Sequence, residues 1–242
     1  MRAFIQSRNN MPGNINFFTA YMGFMEMGIE CVLFQEIDEL DECQPNDVVV
    51  GGLGTVKYVL GKQGIHPEEL NYPSELQAFM GRRTWKSTIG RTIAEQSSWP
   101  VFVKPEQGKL FTGLKISTIE DLVGLGAFEE DLPVLCNKVV QFEAEWRCFV
   151  RYGEILDVRQ YSGDWRKAFD PSVIEKAIAG YKTAPAAYAA DFGITPNGET
   201  LLVEVNDGYA LGSYGLQHNL YAQLLSARWA ELTHTKDECD FR

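Results

Sequence analysis

The chain has 242 residues, 45% hydrophobic and 23% charged, a globular composition long enough for a sizeable core and two packed lobes. Its 22 basic against 33 acidic residues give a formal charge of −11; this argues against a sequence-independent nucleic-acid binder, which needs a basic footprint. Five scattered cysteines without C-x-x-C spacing fit reduced thiols and a cytoplasmic setting. Met1–Gln6 turns polar too soon for a signal peptide, and no apolar run reaches the length of a membrane span.

Residues 1–73 read as a small α/β lobe. Ala3–Ile5, Cys31–Phe34 and Val48–Val50 are short apolar strands, and Asn14–Met27 carries helical apolar spacing. Gly51-Gly52-Leu53-Gly54 turns into a helix through Tyr58 and Leu60. It fails the G-x-G-x-x-G pattern because Lys57 stands three residues after Gly54, so it reads as a strand-to-helix turn. Residues 74–242 form the second unit. Ser74–Ala94 is expected to be helical and carries Arg82, Arg83, Lys86 and Arg91, a basic cluster in an acidic chain. Val101–Pro105 is a buried strand bearing Lys104, followed by the loop 106–113 with two glycines and a return strand, Leu114–Ile116. Glycines that let backbone N–H groups approach a ligand, beside a lysine charge, make a phosphate cradle; a solvated lysine is the alternative.

Gln141–Arg151 alternates polar odd positions with apolar or small even ones, the period of a strand. A three-residue loop into Ile155–Tyr161 keeps like faces together and pairs Arg147 with Arg159, Glu145 with Tyr161 and Cys148 with Val158. Adjacent guanidiniums repel unless an anion lies between them, and arginine forks suit phosphate and carboxylate. The alternative is a surface network in which Glu145 and Asp157 neutralise both. Cys148 falls on the apolar face and reads as packing. Asp170-Pro171-Ser172 has cap chemistry for a helix through Ile178.

The most informative segment is Leu201–Gly208, preceded by Asp191-Phe192-Gly193-Ile194 and the turn Pro196-Asn197-Gly198-Glu199. A two-residue Asn-Gly hairpin places Asp191 opposite Glu204, with Asn206 on the same face, and pairs Phe192 and Ile194 with Val203 and Leu201 in the core. Opposed carboxylates require something cationic between them. Two acidic oxygens and a carboxamide oxygen form a hard-oxygen half-site for Mg²⁺; a solvated hairpin face is the alternative. Leu216, Leu220 and Leu224 mark a terminal helix, and Thr235–Arg242 is polar and expected to fray.

Taken in order, these pieces resemble the ATP-grasp superfamily of carboxylate ligases, from about Glu75 onward. The matching residues are Val101-Phe102-Val103-Lys104-Pro105, Val139-Val140-Gln141-Phe142, Glu145-Trp146-Arg147-Cys148-Phe149-Val150 and Asp191-Phe192-Gly193 with Val203-Glu204-Val205-Asn206. The resemblance implies an α/β (α+β) fold that holds the nucleotide between two sheet-containing subdomains, the N-terminal lobe closing over the acceptor. It implies ATP and Mg²⁺ as cofactors, with Asp191, Glu204 and Asn206 on the metal. Lys104 would contact the α/β-phosphates, aided by Lys86, and Arg147 and Arg159 the γ-phosphate or acyl phosphate. The backbone of Val140, Gln141 and Phe142 would contact adenine, and Glu143 or Glu145 would lie near the ribose. The implied reaction joins a small-molecule or peptide carboxylate to an amine, without nucleic-acid or membrane partners. Glu204–Gly212 is also similar to a small bacterial and phage branch linked by association to peptide-modifying ligation. The phosphate loop departs from the family in lacking a long Gly/Ser run. An ATP-binding sensor without turnover, or a phosphotransferase using the same site, are the competing functions.

Overall fold

The computed structural model describes residues 1–107, 110–123 and 131–241. The chain opens with β1 (Ala3–Arg8), the short β2 (Met11–Pro12), α1 (Ile15–Glu26), β3 (Cys31–Phe34), β4 (Val48–Val50) and α2 (Leu53–Lys62). The Asn14 carboxamide caps α1 by accepting from the N–H groups of Asn16 and Phe17. β3 and β4 lie parallel to β1 on its two sides, as expected of apolar strands joined through helices.

The expected helix over Ser74–Ala94 is not one element. Ser74–Phe79 is a 3₁₀ turn, β5 spans Thr84–Thr88, and only α3 (Ile89–Ala94) is helical. Gly81 breaks the run with φ +57°, and an added Cβ there would lie 2.7 Å from Leu201 Cδ2. Beyond it, Thr84, Trp85 and Thr88 favour a strand. β6 (Val101–Pro105), β7 (Leu114–Ile116) and β8 (Pro133–Lys138) follow, and the four strands form an antiparallel sheet in the order β5-β8-β6-β7. Gly108 and Lys109 of the expected phosphate cradle lie outside the described residues.

A second antiparallel sheet, ordered β10-β9-β11-β12, contains β9 (Ala144–Arg151), β10 (Glu154–Gly163), β11 (Ala187–Ile194) and β12 (Thr200–Asp207). α4 (Pro171–Gly180), capped by Asp170, lies between β10 and β11, and α5 (His218–Thr233) follows β12. One face of this sheet, including Cys148, Val150, Tyr188, Ala190 and Phe192, packs with α4 residues. On the other, Phe149, Ala187 and Ala189 join a core built from α1, α5 and the strands of the N-terminal sheet. The C-terminal segment is docked rather than frayed. Buried Asp237 pairs with buried Arg151 at 2.8 Å and accepts a hydrogen bond from Ser226 at 2.6 Å.

Both site-bearing hairpins keep their key pairs by routes that differ from the simplest register. β9 and β10 are joined by the two-residue turn Tyr152-Gly153, with φ +50° and +78°. An irregularity between Ile155 and Asp157 then brings Val158 opposite Cys148 and Arg159 opposite Arg147; a second pairs Glu145 with Ser162 rather than Tyr161. The turn after β11 is one residue longer than the two-residue reading, and the extra residue Val203 bulges from β12. Asp191 therefore faces Glu204, whereas Phe192 pairs with Leu202 and Ile194 with Thr200.

Candidate functional site

The polar end of the second sheet gathers its charges because alternation places residues 145, 147 and 149 of β9 and 187, 189 and 191 of β11 on one face. Arg147 donates to Asp191 through Nε (2.8 Å to Oδ1) and Nη2 (2.7 Å to Oδ2). Both residues are buried, so this is a bidentate pair shielded from solvent. Burial works against the Arg147 charge, but the hydrogen bonds and charge of Asp191 outweigh it and raise the guanidinium above its ordinary value. Burial pushes the Asp191 carboxyl upward while Arg147 pulls it toward ionisation. The Arg147 guanidinium also lies 4.8 Å from the Tyr214 ring centroid and 5.7 Å from that of Tyr161. Those two rings stack at 5.1 Å, and the Tyr161 hydroxyl donates to Glu145 at 2.7 Å.

Asn206 links this pair to Glu204. Its Nδ2 lies 3.1 Å from Asp191 Oδ2 and 3.3 Å from Glu204 Oε1. Lys104, from the other sheet, donates to Glu204 Oε2 at 2.6 Å and lies 4.4 Å from the Tyr72 ring centroid. Burial pushes the Glu204 carboxyl up, but Lys104 and the Asn206 hydrogen bond outweigh it and hold Glu204 below its ordinary value. Lys104, Glu204, Asn206, Asp191 and Arg147 thus form one connected network across the two sheets.

A cleft of about 400 Å³ opens beside Glu204. Its walls include Phe102 and Asn137 from the first sheet, Val139, Val140 and Phe142 from the connection, and Glu145, Tyr161 and Val203 from the second sheet. Phe142 lies directly over Gly193, where a Cβ would come within 2.2 Å of its ring. Arg82 donates to the Leu202 and Val203 carbonyls at 2.6 Å each, holding the bulge at the cleft wall. Asn137 is 2% exposed; its Nδ2 donates to the Tyr72 hydroxyl at 2.7 Å, while its buried Oδ1 has no partner among the described residues. A buried acceptor beside a cleft suits a ligand N–H.

The structure brings together Lys104, Val140, Phe142, Glu145, Arg147, Asp191, Glu204 and Asn206. Of these, Val140, Phe142, Glu145 and Glu204 line the cleft, and Lys104, Arg147, Asp191 and Asn206 join Glu204 through the network; the other candidates do neither. Gln141 is exposed, Glu143 pairs with Lys167 at 2.6 Å, and Lys86 pairs with Glu106. Arg159 stands opposite Arg147 on the sheet, yet it binds Asp157 at 2.7 Å while Arg147 binds Asp191. Each fork therefore has its own carboxylate. Sequence reasoning missed Asn137, Tyr72 and Tyr214, and noted Arg82 only as part of a basic cluster. Asn137 was signalled by a lone carboxamide in an apolar strand; Tyr72 and Tyr214 reach the site from a linker and a loop and left no periodic signal.

A family model described as an ATP-grasp domain, R2K clade family 2, matches residues 79–224. The chain belongs to this family. It is accordingly an enzyme of the ATP-grasp class. Comparison with curated proteins gives no match. The ATP-grasp fold recurs in D-alanine–D-alanine ligase from Bacillus anthracis complexed with ATP, at 15% identity over 96% of this chain and 97% of that one, with a TM-score of 0.57. It recurs in N5-carboxyaminoimidazole synthetase from Staphylococcus aureus, at 10% identity over 97% and 77%, with a TM-score of 0.60. Macrocyclase MdnC bound with precursor peptide MdnA, from Microcystis aeruginosa MRC, aligns at 14% identity over 93% and 99%, with a TM-score of 0.52. At these identities the likeness is one of fold.

The donor set of this ATP-grasp site also bears on a metal. Among the described residues no group of three or more His, Cys, Asp or Glu is placed to hold one; the set here is two carboxylates and a carboxamide. The Asn206 amide donor and the Lys104 ammonium already stand on these carboxylates, so the geometry favours a positive group there. With its oxygen turned inward, Asn206 completes three hard-oxygen donors suited to Mg²⁺.

Proposed function

We propose that the protein is a ligase that uses ATP and Mg²⁺ to activate a carboxylate as an acyl phosphate, which an amine captures to form an amide. The observation that carries this reading is the network in which Lys104 and Arg147 are each paired with a carboxylate of the proposed metal set. Asp191, Glu204 and Asn206 would hold Mg²⁺. The ion would neutralise charge on the phosphate oxygens. Lys104 would pass from Glu204 to the α/β-phosphates, and Arg147 would offer its fork to the transferring γ-phosphoryl group. Such an exchange keeps each buried charge paired, avoiding the cost of an isolated one.

Phe142 and Val140 would flank the adenine, Asn137 Oδ1 would accept from a ligand N–H, and Glu145 would lie toward the ribose. Arg159 would reach the γ-phosphate or acyl phosphate only by leaving Asp157, and Lys86 the phosphates only by leaving Glu106. Residues 1–73 would form the lobe that closes over the acceptor. Fold relatives named as a D-alanine–D-alanine ligase and as a macrocyclase bound with a precursor peptide support carbon–nitrogen ligation with a small-molecule or peptide carboxylate. No helix among the described residues is long and apolar enough to cross a membrane.

In the proposed sequence a carboxylate oxygen bonds to the γ-phosphorus as the bond to ADP breaks. The amine nitrogen then bonds to the acyl carbon, losing a proton as phosphate departs with that oxygen. The test is ADP and phosphate release that requires both a carboxylate and an amine, with ¹⁸O passing from the carboxylate to phosphate. A stable phosphorylated product would instead establish a phosphotransferase. ATP binding without ADP release across a panel of carboxylates and amines would establish a sensor.

A further inference from the structure

A second concave feature lies on the first sheet and does not depend on the ligase reading. It is a groove of about 460 Å³ whose walls include Arg83, Trp85, Lys86, Arg91 and Lys138, with Glu95 as its single carboxylate. Four cations against one acid on the wall is a local reversal in a chain of net charge −11, with Lys86 also paired to Glu106, which is not on the wall. Glu95 is already engaged by Arg91 at 2.9 Å. The Arg83 guanidinium lies 5.3 Å from the Trp85 ring centroid, so cation and apolar surface are presented together. Hydroxyls of Ser87, Ser97 and Ser98 complete the wall.

Backbone geometry adds a second observation. β5 is the outer strand of its sheet and, among the described residues, pairs only with β8. Among the described residues no strand pairs with its outer side, so N–H and C=O groups there are placed to receive another strand, apart from the Thr88 carbonyl, which accepts from Ser87 and Thr92. Cations on an edge strand also discourage unwanted pairing, but that role needs only projecting charges, not a concave wall with an aromatic ring and hydroxyls. We propose that this groove docks an acidic peptide segment of another protein, added to β5 as an extended strand with carboxylates on Arg83 and Arg91. Arginine forks match carboxylates bidentately. A peptide fits better than a nucleic acid because the overall charge of −11 repels a long polyanion, whereas a short acidic strand gains backbone pairing and meets only the local cations.

The experiment uses the full chain and a fluorescein-labelled peptide of alternating glutamate and valine. A peptide with lysine for glutamate and a single-stranded DNA oligonucleotide serve as competitors. The acidic peptide is expected to bind at low salt, to slow amide exchange at residues 84–88, and to resist the lysine peptide. The double variant Arg83→Glu/Arg91→Glu is expected to weaken it by about tenfold or more, as loss of charge complementarity predicts, while the thermal shift given by Mg-ATP stays as in the parent. Absence of binding, equal binding to the double variant, unchanged exchange at β5, or stronger binding of the oligonucleotide would each overturn the proposal.

Discussion

Replacing Arg147 with lysine keeps a positive charge beside Asp191 but removes the fork. Arg147 is 7% and Asp191 1% exposed, so the two hydrogen bonds of 2.8 and 2.7 Å act away from water. An ammonium reaches one carboxylate oxygen well, so one charge-assisted bond is lost, about 1.5–3 kcal/mol. The flat contact with Tyr214 goes as well, adding about 0.5–1 kcal/mol. A loss of about 2–4 kcal/mol lowers Tm by roughly 4–16 °C for a chain of this length. Arg147→Met, which strands the buried carboxylate, should cost more, about 3–5 kcal/mol. Urea and thermal unfolding of the parent and both variants measure the order. In parallel, Arg147→Lys should still bind Mg-ATP yet lose phosphoryl transfer by about a hundredfold or more. Arg159→Lys is the internal comparison: its partner is Asp157 and its side chain is 41% exposed, so its stability cost should fall within about 0–1 kcal/mol. An Arg147→Lys protein as stable and as active as the parent would refute the bidentate assignment.

Other expectations follow from the same network. Mg²⁺ and ATP together should raise Tm, by the equivalent of about 2.7 kcal/mol at a hundred times Kd, and more than either alone, because each partner exchange frees groups for the other; no shift at millimolar Mg-ATP would count against the site. Glu204→Gln should leave the fold intact but cut turnover by about a hundredfold or more, and near-parental activity would remove Glu204 from the reaction. Because Lys104 holds the Glu204 carboxyl below its ordinary value of 4.5, that stabilisation is present above this pH and lost as pH falls through the lowered value; Glu204→Gln should flatten the acid limb of the Tm–pH profile. Tyr214→Ala should lower kcat with little change in the KM for ATP, while Tyr214→Phe restores it, since the ring face and not the hydroxyl meets Arg147; equal defects in both variants would refute the ring's positioning role.

The site was legible where alternation and turn chemistry act locally. Period two puts Glu204 and Asn206 on one face. The facing of Asp191 with Glu204 and of Arg147 with Arg159 came out as expected only because irregularities in β12 and β10 offset turns that differ from the expected two and three residues. What the pattern did not carry was the partner of each charge. Arg147 meets Asp191 across a strand pair that joins β9 to β11, and Lys104 meets Glu204 across two sheets, contacts set by tertiary packing. The helix expected over Ser74–Ala94 failed for a local reason, the left-handed Gly81 followed by strand-favouring residues. The expected fraying of the C-terminal segment failed for a distant one: its polar residues have buried partners on β9 and α5.

The bulge at Val203 has a consequence for how length changes propagate. The longer turn and the extra residue of β12 cancel, so Glu204 faces Asp191 just as it would in a plain two-residue hairpin. Shortening the turn while deleting Val203 would therefore conserve the acidic pairing. The first irregularity in β10 does the same for the arginines, where a shorter turn and an added residue restore the register of a three-residue loop. In both hairpins an added residue between the turn and the charged end restores the facing of the charged pair that a turn of different length would have shifted.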